Sequence, residues 1–276
     1  MTTNAATNLV AVPPNGKFLV EIKTVQGSSF KVLVEALKDL LIDCNIMCDE
    51  TGLKIIALDN SHSVLVHLKL EAKQFEGYTC EKRIYIGVNM LKLFVLLKTV
   101  SNNDALTIFV EASDPNHLGI RIENSVKKSH TTYKLNMLDI PVTNIDIPSP
   151  DCHTIITLPS IDFQRLIRDM NNLAEQVEIK TADNVLYFSC SGESCSQETV
   201  MGETSAGLNI FRTEEKKGEI VQGIFPLKHL LLFTKCTNLS TMVELVIDND
   251  YPIIVQYKVS SMGSIKLVLA PIAGDQ

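Results

Sequence analysis

Basic side chains recur at helical spacing along this sequence of 276 residues. Three pairs carry the pattern: Lys31 with Lys38, Arg165 with Arg168, and Lys228 with Lys235. Partners three or seven residues apart lie on one stripe of an α-helix, and a stripe of cations can attract nucleic-acid phosphates without reading bases. Lysines are also typical of the solvent-exposed side of any amphipathic helix. The spacing alone therefore leaves both interpretations open.

Patterns for catalysis or metal binding are weak. Seven cysteines, an odd number with no secretory signal before them, indicate reduced thiols in an intracellular compartment. Cys44-x3-Cys48 and Cys190-x4-Cys195 lack the repeated ligand pairs of structural zinc, and the adjacent Cys152 and His153 do not by adjacency form a catalytic pair. The sequence has no glycine-rich phosphate-binding motif, and its carboxylates are scattered. We predict no catalytic residue, no cofactor and no metal.

Hydrophobic periodicity predicts the elements that would position the basic residues. Short period-two runs predict strands at 18–24, 53–58, 64–70, 106–111, 118–123, 177–180, 185–189, 243–248, 253–258 and 265–270. Helical spacing predicts helices at 29–41, 89–100, 161–174 and 226–236. Ser29 is expected to cap the first helix, and Lys98 to complement the dipole at the end of the second. No apolar run approaches membrane-spanning length, so we expect a soluble protein with no membrane partner.

The order of these elements repeats along the chain. Phe30 opens an F-x-x-L helix in the first half, and Phe163 opens another 133 residues later. The repeat predicts an α+β fold of two similar domains. We expect a flexible N-terminal arm at 1–16, a first domain at 17–136, an exposed proline-rich connector at 137–152 and a second domain at 153–276.

The charge balance is acidic, with 25 Lys and Arg against 32 Asp and Glu and a net charge of −7. A compact nucleic-acid reader usually has a basic total, so DNA binding would require the basic residues to be segregated. Acidic residues do gather away from the helices, for example at Asp139, Asp146 and Asp151 of the connector. The distribution is compatible with a basic surface on an acidic protein.

Eight short motifs stand in one order along the chain. They are EALKDL (35–40), LDNSH (58–62), GVN (87–89), PS-x-x-F-x-R-x-x-RD (159–169), LFTK (232–235), QYK (256–258), MG (262–263) and LAP (269–271). In this order and spacing the chain resembles the proliferating cell nuclear antigen family, the eukaryotic-type DNA sliding clamps. The resemblance implies the DNA clamp fold, in which each domain has antiparallel sheets and two helices, and three subunits close into a six-domain ring around double-stranded DNA.

In such a ring the helices line the central hole, where cations attract phosphates without reading sequence. The resemblance assigns this role to Lys31, Lys38, Lys98, Arg165, Arg168, Lys228 and Lys235. Val32 and Val95 stand where the family usually carries lysine, so this channel is expected to be less basic.

The resemblance also implies an apolar pocket beneath the connector that binds PIP-type peptides. Its expected residues are Leu58, His62, Leu65, Ile145, Ile147, Pro252, Ala270 and Pro271. The implied partners are a DNA polymerase, a clamp loader, a flap nuclease and a ligase. Leu267 and Val268 replace two tyrosines usual in the family, so the pocket is expected to be wider or to select different anchors.

Subunit contacts are expected at edge strands, and the resemblance places these near 127–136 and 193–201, including Tyr133, Lys134, Cys195 and Gln197. The implied function is that of a non-enzymatic processivity factor, a homotrimer that tethers replication and repair enzymes in the nucleus or at the replication site of a virus. Two alternatives remain open: a subunit of a checkpoint-type heteromeric clamp, and a monomeric polymerase accessory factor that holds DNA by charge.

Overall fold

Strands and helices follow the same order in both halves of the protein. The structure is a computed structural model that describes residues 17–59, 61–142, 145, 154–182, 184–204, 207–213, 218–249 and 251–272. The first half contains β1 (Phe18–Thr24), α1 (Gly27–Leu40), β2 (Asp43–Asp49), β3 (Gly52–Leu58), β4 (Val64–Glu71), β5 (Gly77–Thr79), β6 (Ile84–Asn89), α2 (Met90–Leu97), β7 (Asp104–Glu111), β8 (Asp114–Asn124) and β9 (Ser129–Asn136). The second half contains β10 (Thr154–Pro159), α3 (Ser160–Asn171), β11 (Gln176–Ala182), β12 (Val185–Ser191), β13 (Ser196–Gly202), β14 (Asn209–Arg212), β15 (Val221–Pro226), α4 (Leu227–Phe233), β16 (Met242–Val246), β17 (Ile253–Val259) and β18 (Gly263–Leu269). Short 3₁₀ helices follow β4 at Ala72–Gln74 and α4 at Thr234–Leu239.

The strands form three antiparallel sheets in the described residues. Their orders are β5-β1-β7-β8-β9, then β14-β10-β16-β17-β18-β4-β3-β2-β6, and β13-β12-β11-β15. The nine-stranded sheet joins five strands of the second half to four of the first, through antiparallel pairing of β18 with β4. The expected α+β fold of two similar domains with antiparallel sheets is confirmed.

The core lies between the sheets and the helices. Along β4 the inward residues Val64, Val66 and Leu68 are buried, while alternate positions face outward, as the period-two pattern predicts. Each leading helix contributes a buried phenylalanine, Phe30 from α1 and Phe163 from α3. The repeated F-x-x-L pattern therefore reports the same packing position in both halves.

The expected cap on the first helix is wrong. α1 begins at Gly27, two residues before Ser29, and its N-cap Gln26 makes no side-chain capping hydrogen bond. A glycine suits this start because a Cβ at position 27 would lie only 3.0 Å from Val100 Cγ1 and 3.4 Å from the Asp104 carbonyl. Close approach to the following strands, rather than a hydroxyl cap, thus determines where the helix begins.

The fourth predicted helix is two shorter segments. α4 ends at Phe233, and the chain tightens into the 3₁₀ helix Thr234–Leu239. The second helix is also shorter than expected: Asn89 caps it by accepting a hydrogen bond from the Lys92 N–H, and it ends at Leu97.

Candidate DNA and partner interfaces

The helices of the described chain form one continuous layer. α1 contacts α2 on one side and the 3₁₀ helix after α4 on the other, and α3 contacts both α4 and that 3₁₀ helix. Six of the seven basic residues expected at a DNA channel lie on the helices of this layer. The seventh, Lys98, is the residue that follows α2. The fold therefore brings the candidates from both halves onto one surface, where their individual surroundings differ.

Lys31 and Lys38 are held within the layer. The Lys31 ammonium donates a hydrogen bond to the Val100 carbonyl at 2.7 Å, beyond the end of α2. Lys38 donates to Asp39 Oδ1 at 2.8 Å, and its ammonium lies 5.2 Å from the centre of the Phe94 ring in α2. Only 18% of the Lys38 side chain is exposed. Both lysines thus fasten α1 to the α2 region and have little cationic surface left for a ligand.

The other five candidates are exposed. Arg165 and Arg168 lie 3.9 Å from Asp162 and Asp169, with more than 60% of each arginine side chain exposed. Contacts at this distance between exposed groups are weak. Lys235 lies 4.0 Å from Asp39 Oδ2, so Asp39 is shared between Lys38 and Lys235.

Lys98 and Lys228 are exposed and form no ion pair with the residues the structure describes. The exposed positive charge of the layer therefore sits on α3, on α4 with its 3₁₀ extension, and on α2, at Lys92 and at Lys98 beyond its end. Four of its six exposed cations, Arg165, Arg168, Lys228 and Lys235, belong to the second half of the chain.

Apolar residues occupy part of the same surface. Leu91 and Val95 of α2 are one turn apart and 58% and 46% exposed, and Ile161 at the start of α3 is 52% exposed. Val32 is partly buried within α1. The exposure of Val95 agrees with the expectation that this surface is less basic than is usual in the family.

A groove of about 500 Å³ lies between the outer side of the nine-stranded sheet and the start of the connector. Three of the expected pocket residues line it: Leu58, His62 and Ile145. Further lining comes from Met47, Lys54, Ile56, Tyr85, Ile140 and Val142. Sequence reasoning missed Met47, Ile56 and Tyr85, although outward positions of the period-two pattern on β3 include Ile56 beside Leu58.

Asp59 shapes the loop that carries His62. Its carboxylate is buried and accepts hydrogen bonds from the backbone N–H groups of Ser61, Ser63 and Val64 at 2.8 to 3.2 Å. Burial by itself raises the pKa of this carboxyl, but the hydrogen bonds outweigh burial and lower it, so the group stays ionised. His62 adopts a left-handed backbone with φ 55° in this tight turn, and its side chain is exposed at the groove.

The remaining pocket candidates lie beside the groove rather than in it. Leu65 is buried on β4 and pairs across the sheet with Leu58 on one side and Val268 on the other. Pro252 precedes β17, and Ala270 and Pro271 follow β18. Ile147 lies outside the described residues. The structure therefore groups part of the expected set and places Leu65 in the adjoining strand.

The two strands that were expected at subunit contacts are edge strands of their sheets. Among the residues that the structure describes, β9 pairs only with β8, and β13 only with β12. Tyr133 and Lys134 lie on β9, Gln197 lies on β13, and the exposed Cys195 immediately precedes β13. The Lys134 side chain donates a hydrogen bond to Asp114 Oδ2 at 2.7 Å, within its own sheet.

Most thiols of the described chain are buried and unreactive in character. Burial raises the pKa of Cys44 to about 12, that of Cys236 to about 12 and that of Cys80 to about 11, so these thiols stay protonated at neutral pH. Among the residues that the structure describes, no three His, Cys, Asp or Glu side chains are grouped as a metal site. Within the same residues no helix is long and apolar enough to span a membrane.

Comparison with known proteins agrees with this architecture. Residues 19–145 match the model of the proliferating cell nuclear antigen N-terminal domain, and residues 146–272 match the C-terminal domain. The chain is 34% identical over 258 residues to the probable DNA polymerase sliding clamp 1 of Paramecium bursaria Chlorella virus 1, covering 92% of this chain and 97% of that protein. It is 33% identical over 258 residues to the proliferating cell nuclear antigen of Chaetomium thermophilum, covering 93% and 99%.

Proposed function

Because this chain belongs to the proliferating cell nuclear antigen family of DNA sliding clamps, we propose that it is a non-enzymatic homotrimeric clamp. It encircles double-stranded DNA and tethers a DNA polymerase, with the clamp loader, flap nuclease and ligase as further partners. Its site of action is the nucleus or the replication site of a virus, in keeping with the eukaryotic and viral relatives.

The observation that carries the homotrimer is the repetition of the sheets. The five strands β5-β1-β7-β8-β9 repeat as β14-β10-β16-β17-β18, and the four strands β4-β3-β2-β6 repeat as β13-β12-β11-β15. In this correspondence β18 is equivalent to β9, and β4 is equivalent to β13. β18 and β4 are paired within the chain, whereas β9 and β13 each have an unpaired edge in the part of the chain that the structure describes. Pairing β9 of one protomer with β13 of the next would repeat the internal joint and build a second nine-stranded sheet.

The repetition also predicts the register of that contact. Leu267 pairs with Val66 and Leu269 with Val64 at the internal joint. The hairpin registers make Leu267 equivalent to Tyr133 and Val66 equivalent to Gln197. Tyr133 is therefore expected opposite Gln197 of the next protomer, and Leu135 opposite Cys195.

A disulfide between protomers tests this register. Directly opposite residues in an antiparallel pair have Cα atoms about 4.5–5.5 Å apart, within the span of a disulfide. Leu135→Cys should therefore form a covalent trimer with the native Cys195 under mild oxidation, seen by non-reducing electrophoresis. Adding Cys195→Ser should abolish the product.

A second cysteine pair keeps the test valid if the Leu135 variant fails to fold, because the Leu135 side chain packs on the core. Thr131→Cys with Thr199→Cys, in a Cys195→Ser background, occupies the opposite positions predicted by the same register. The unmodified protein should have a mass near 92 kDa in light scattering, three times 30.6 kDa. A 30.6 kDa species at micromolar concentration without crosslinking would contradict the homotrimer and support a monomeric accessory factor or a heteromeric clamp.

The DNA role of the helix layer is tested by charge reversal. Arg168, Lys228 and Lys235 are exposed on the layer, and replacing all three with Glu should weaken retention on circular DNA without changing the mass of the ring. The matched control replaces Lys73, Lys82 and Arg83 with Glu, since these residues are exposed but lie outside the helix layer. Equal retention by both variants would remove the channel assignment.

A further inference from the structure

Four basic side chains meet on the outer side of the nine-stranded sheet, away from the helix layer. We call Lys54, His67, Lys69 and Lys266 the outer basic patch. Lys54 lies directly opposite Lys69 in the pairing of β3 with β4, and His67 lies opposite Lys266 in the pairing of β4 with β18. Their strand neighbours Ile55, Leu68 and Ile265 point into the core, so the patch faces outward. It straddles the internal joint between the two halves of the chain.

The positive charge of the patch is largely uncompensated. Among the residues that the structure describes, no carboxylate forms an ion pair with Lys69 or Lys266, and only Lys54 has one, donating to Asp49 Oδ2 at 3.1 Å. Two acidic side chains on neighbouring strand positions have other contacts: Glu71 forms its ion pair with Lys73, although the charge of Lys69 also lowers the pKa of Glu71, and Glu244 accepts a hydrogen bond from Gln256. Like charges placed directly opposite across two strands destabilise a sheet. A patch of this kind on a chain of net charge −7 is explained if an anion neutralises it.

The lysines of the patch also affect the pKa of His67. Burial lowers the pKa of this half-buried imidazole, and the charges of Lys266, Lys69 and Lys54 lower it further. A bound anion would reverse the second effect.

The patch borders an apolar row on the same outward side. Leu58, Leu65 and Val268 lie opposite one another across β3, β4 and β18, and Leu58 lines the groove beside the connector. His67 follows Leu65 by two residues and Lys69 by four, which places the basic side chains about 7 and 13 Å along the strand from the apolar row. Lys54 also lines the groove itself. The basic and apolar surfaces are continuous.

We propose that the outer basic patch binds acidic residues of a partner protein, placed a few positions from an apolar anchor that occupies the groove at Leu58. This inference rests on the proposed function of the groove as a peptide site. Charge complementarity and continuity with the groove support it. A peptide is favoured over a nucleic acid because the patch has only three lysines beside one histidine, and Ile56 lies between Lys54 and Leu58 on the outward side of β3. The patch therefore selects, among the peptides that the groove accepts, those with neighbouring glutamate or aspartate.

The test compares two synthetic peptides on the full-length assembled protein by fluorescence anisotropy. Both carry the same aromatic anchors; one has glutamates two to four residues to either side of them, and the other has glutamines there. At roughly 50 mM salt the glutamate peptide should bind about threefold to tenfold more tightly, and the difference should fade at high salt. Lys69→Gln with Lys266→Gln should abolish the difference and leave the glutamine peptide unaffected. The matched control is Lys82→Gln with Arg83→Gln, two exposed residues in the loop between β5 and β6.

Each contrary outcome has a distinct meaning. Equal binding of the two peptides to the unmodified protein would overturn the patch and leave the groove intact, whereas binding of neither would overturn both. A loss of duplex-DNA retention in the Lys69 and Lys266 variant, with the peptide ratio unchanged, would assign the patch to nucleic acid. A lower melting temperature of this variant without peptide would mean that an acidic segment of the chain itself neutralises the patch.

Discussion

Basic residues of the same type serve different purposes in this protein. Lys31 places its ammonium on the Val100 carbonyl and Lys38 places its own between Asp39 and Phe94, so both connect helices. Lys228 lies on the same helix layer, and its side chain is exposed. A cation whose hydrogen bonds are already made inside the protein gains little from a phosphate, because it must first give up those contacts. Position along a helix stripe therefore does not distinguish structural lysines from DNA-facing ones.

Replacing Lys31 with Met tests this distinction at a single residue. The change keeps the aliphatic stem but leaves the Val100 carbonyl without its 2.7 Å donor, so the free energy of unfolding should fall by about 0.5–1.5 kcal/mol in urea titration. DNA retention by the assembled ring should change little. Lys228→Met is the matched control and should show the opposite pattern; weaker DNA retention in Lys31→Met without loss of stability would contradict the structural role.

His67 makes the outer basic patch sensitive to pH. Lys54 of β3, Lys69 of β4 and Lys266 of β18 face it, and with burial they hold its pKa below the ordinary value, so it is neutral at pH 7. Binding of a glutamate-rich peptide should raise that pKa, and by linkage the affinity should increase as the pH falls through the bound-state pKa and level off below the free-state pKa. Titration of the imidazole by NMR with and without peptide measures the shift. His67→Gln should remove the pH dependence; an unchanged His67 pKa on binding would show that the anion lies elsewhere.

Helix α2 illustrates how an element can belong to a charged layer and yet present an apolar surface. Leu91 and Val95 form its exposed stripe, while Leu93 and Leu97 fill the core. Apolar side chains offer phosphates no hydrogen bond or charge, so the cations that α2 can contribute to the proposed channel are Lys92 in its first turn and Lys98 at its end. Exposed positive charge is thus distributed unevenly over the helix layer.

Val95→Lys should convert that stripe into a DNA contact. A lysine at position 95 would stand about one turn before Lys98, and each added phosphate contact should steepen the log–log salt dependence of DNA affinity by about 0.9. Filter or anisotropy binding over a salt series measures the slope. Val126→Lys, a fully comparable change at an 80% exposed position in the turn between β8 and β9, should leave the slope unaltered. Equal slopes in both variants would place α2 away from DNA.

The whole molecule depends on a joint between two repeated halves. β18 and β4 pair from Gly263 with Leu70 to Leu269 with Val64, and the outer basic patch and apolar row both cross this joint. Gly263 allows the strands to approach, because a Cβ there would lie 2.0 Å from the Lys69 carbonyl oxygen. The proposed partner surface and the continuity of the nine-stranded sheet therefore share one steric requirement.

Gly263→Ala should weaken this joint. The added methyl group must push the backbone of β4 aside, so stability should fall by about 1–3 kcal/mol and hydrogen exchange should accelerate first in β4 and β18. Gly77→Ala is the control, since a Cβ at that strand position meets only ordinary contacts at 3.4 Å or more. Unchanged exchange in β4 and β18 would contradict the steric role of Gly263.

Local patterns in the sequence were sufficient to predict most elements and the duplication. β1 matches its predicted bounds, and the repeated Phe30 and Phe163 mark the same buried position because each helix must place one apolar stripe on a sheet. Strands such as β2 and β14 escaped prediction. β2 is built from cysteine, aspartate and asparagine around Ile46, and β14 has only four residues, so neither carries a strong period-two signal.

Only the tertiary structure decided which side chains meet. Asp39 is shared by Lys38 and Lys235, Lys31 donates to the Val100 carbonyl, and Lys266 lies opposite His67. Each of these arrangements joins residues that are far apart in the sequence. Periodicity indicates which side of a strand or helix is buried, because that depends on residues a few positions apart. It does not indicate which strand lies alongside, because pairing depends on the energy of the whole sheet. The amino-acid sequence thus determined the elements, their repetition and the family, and the fold decided which cations remain free to bind.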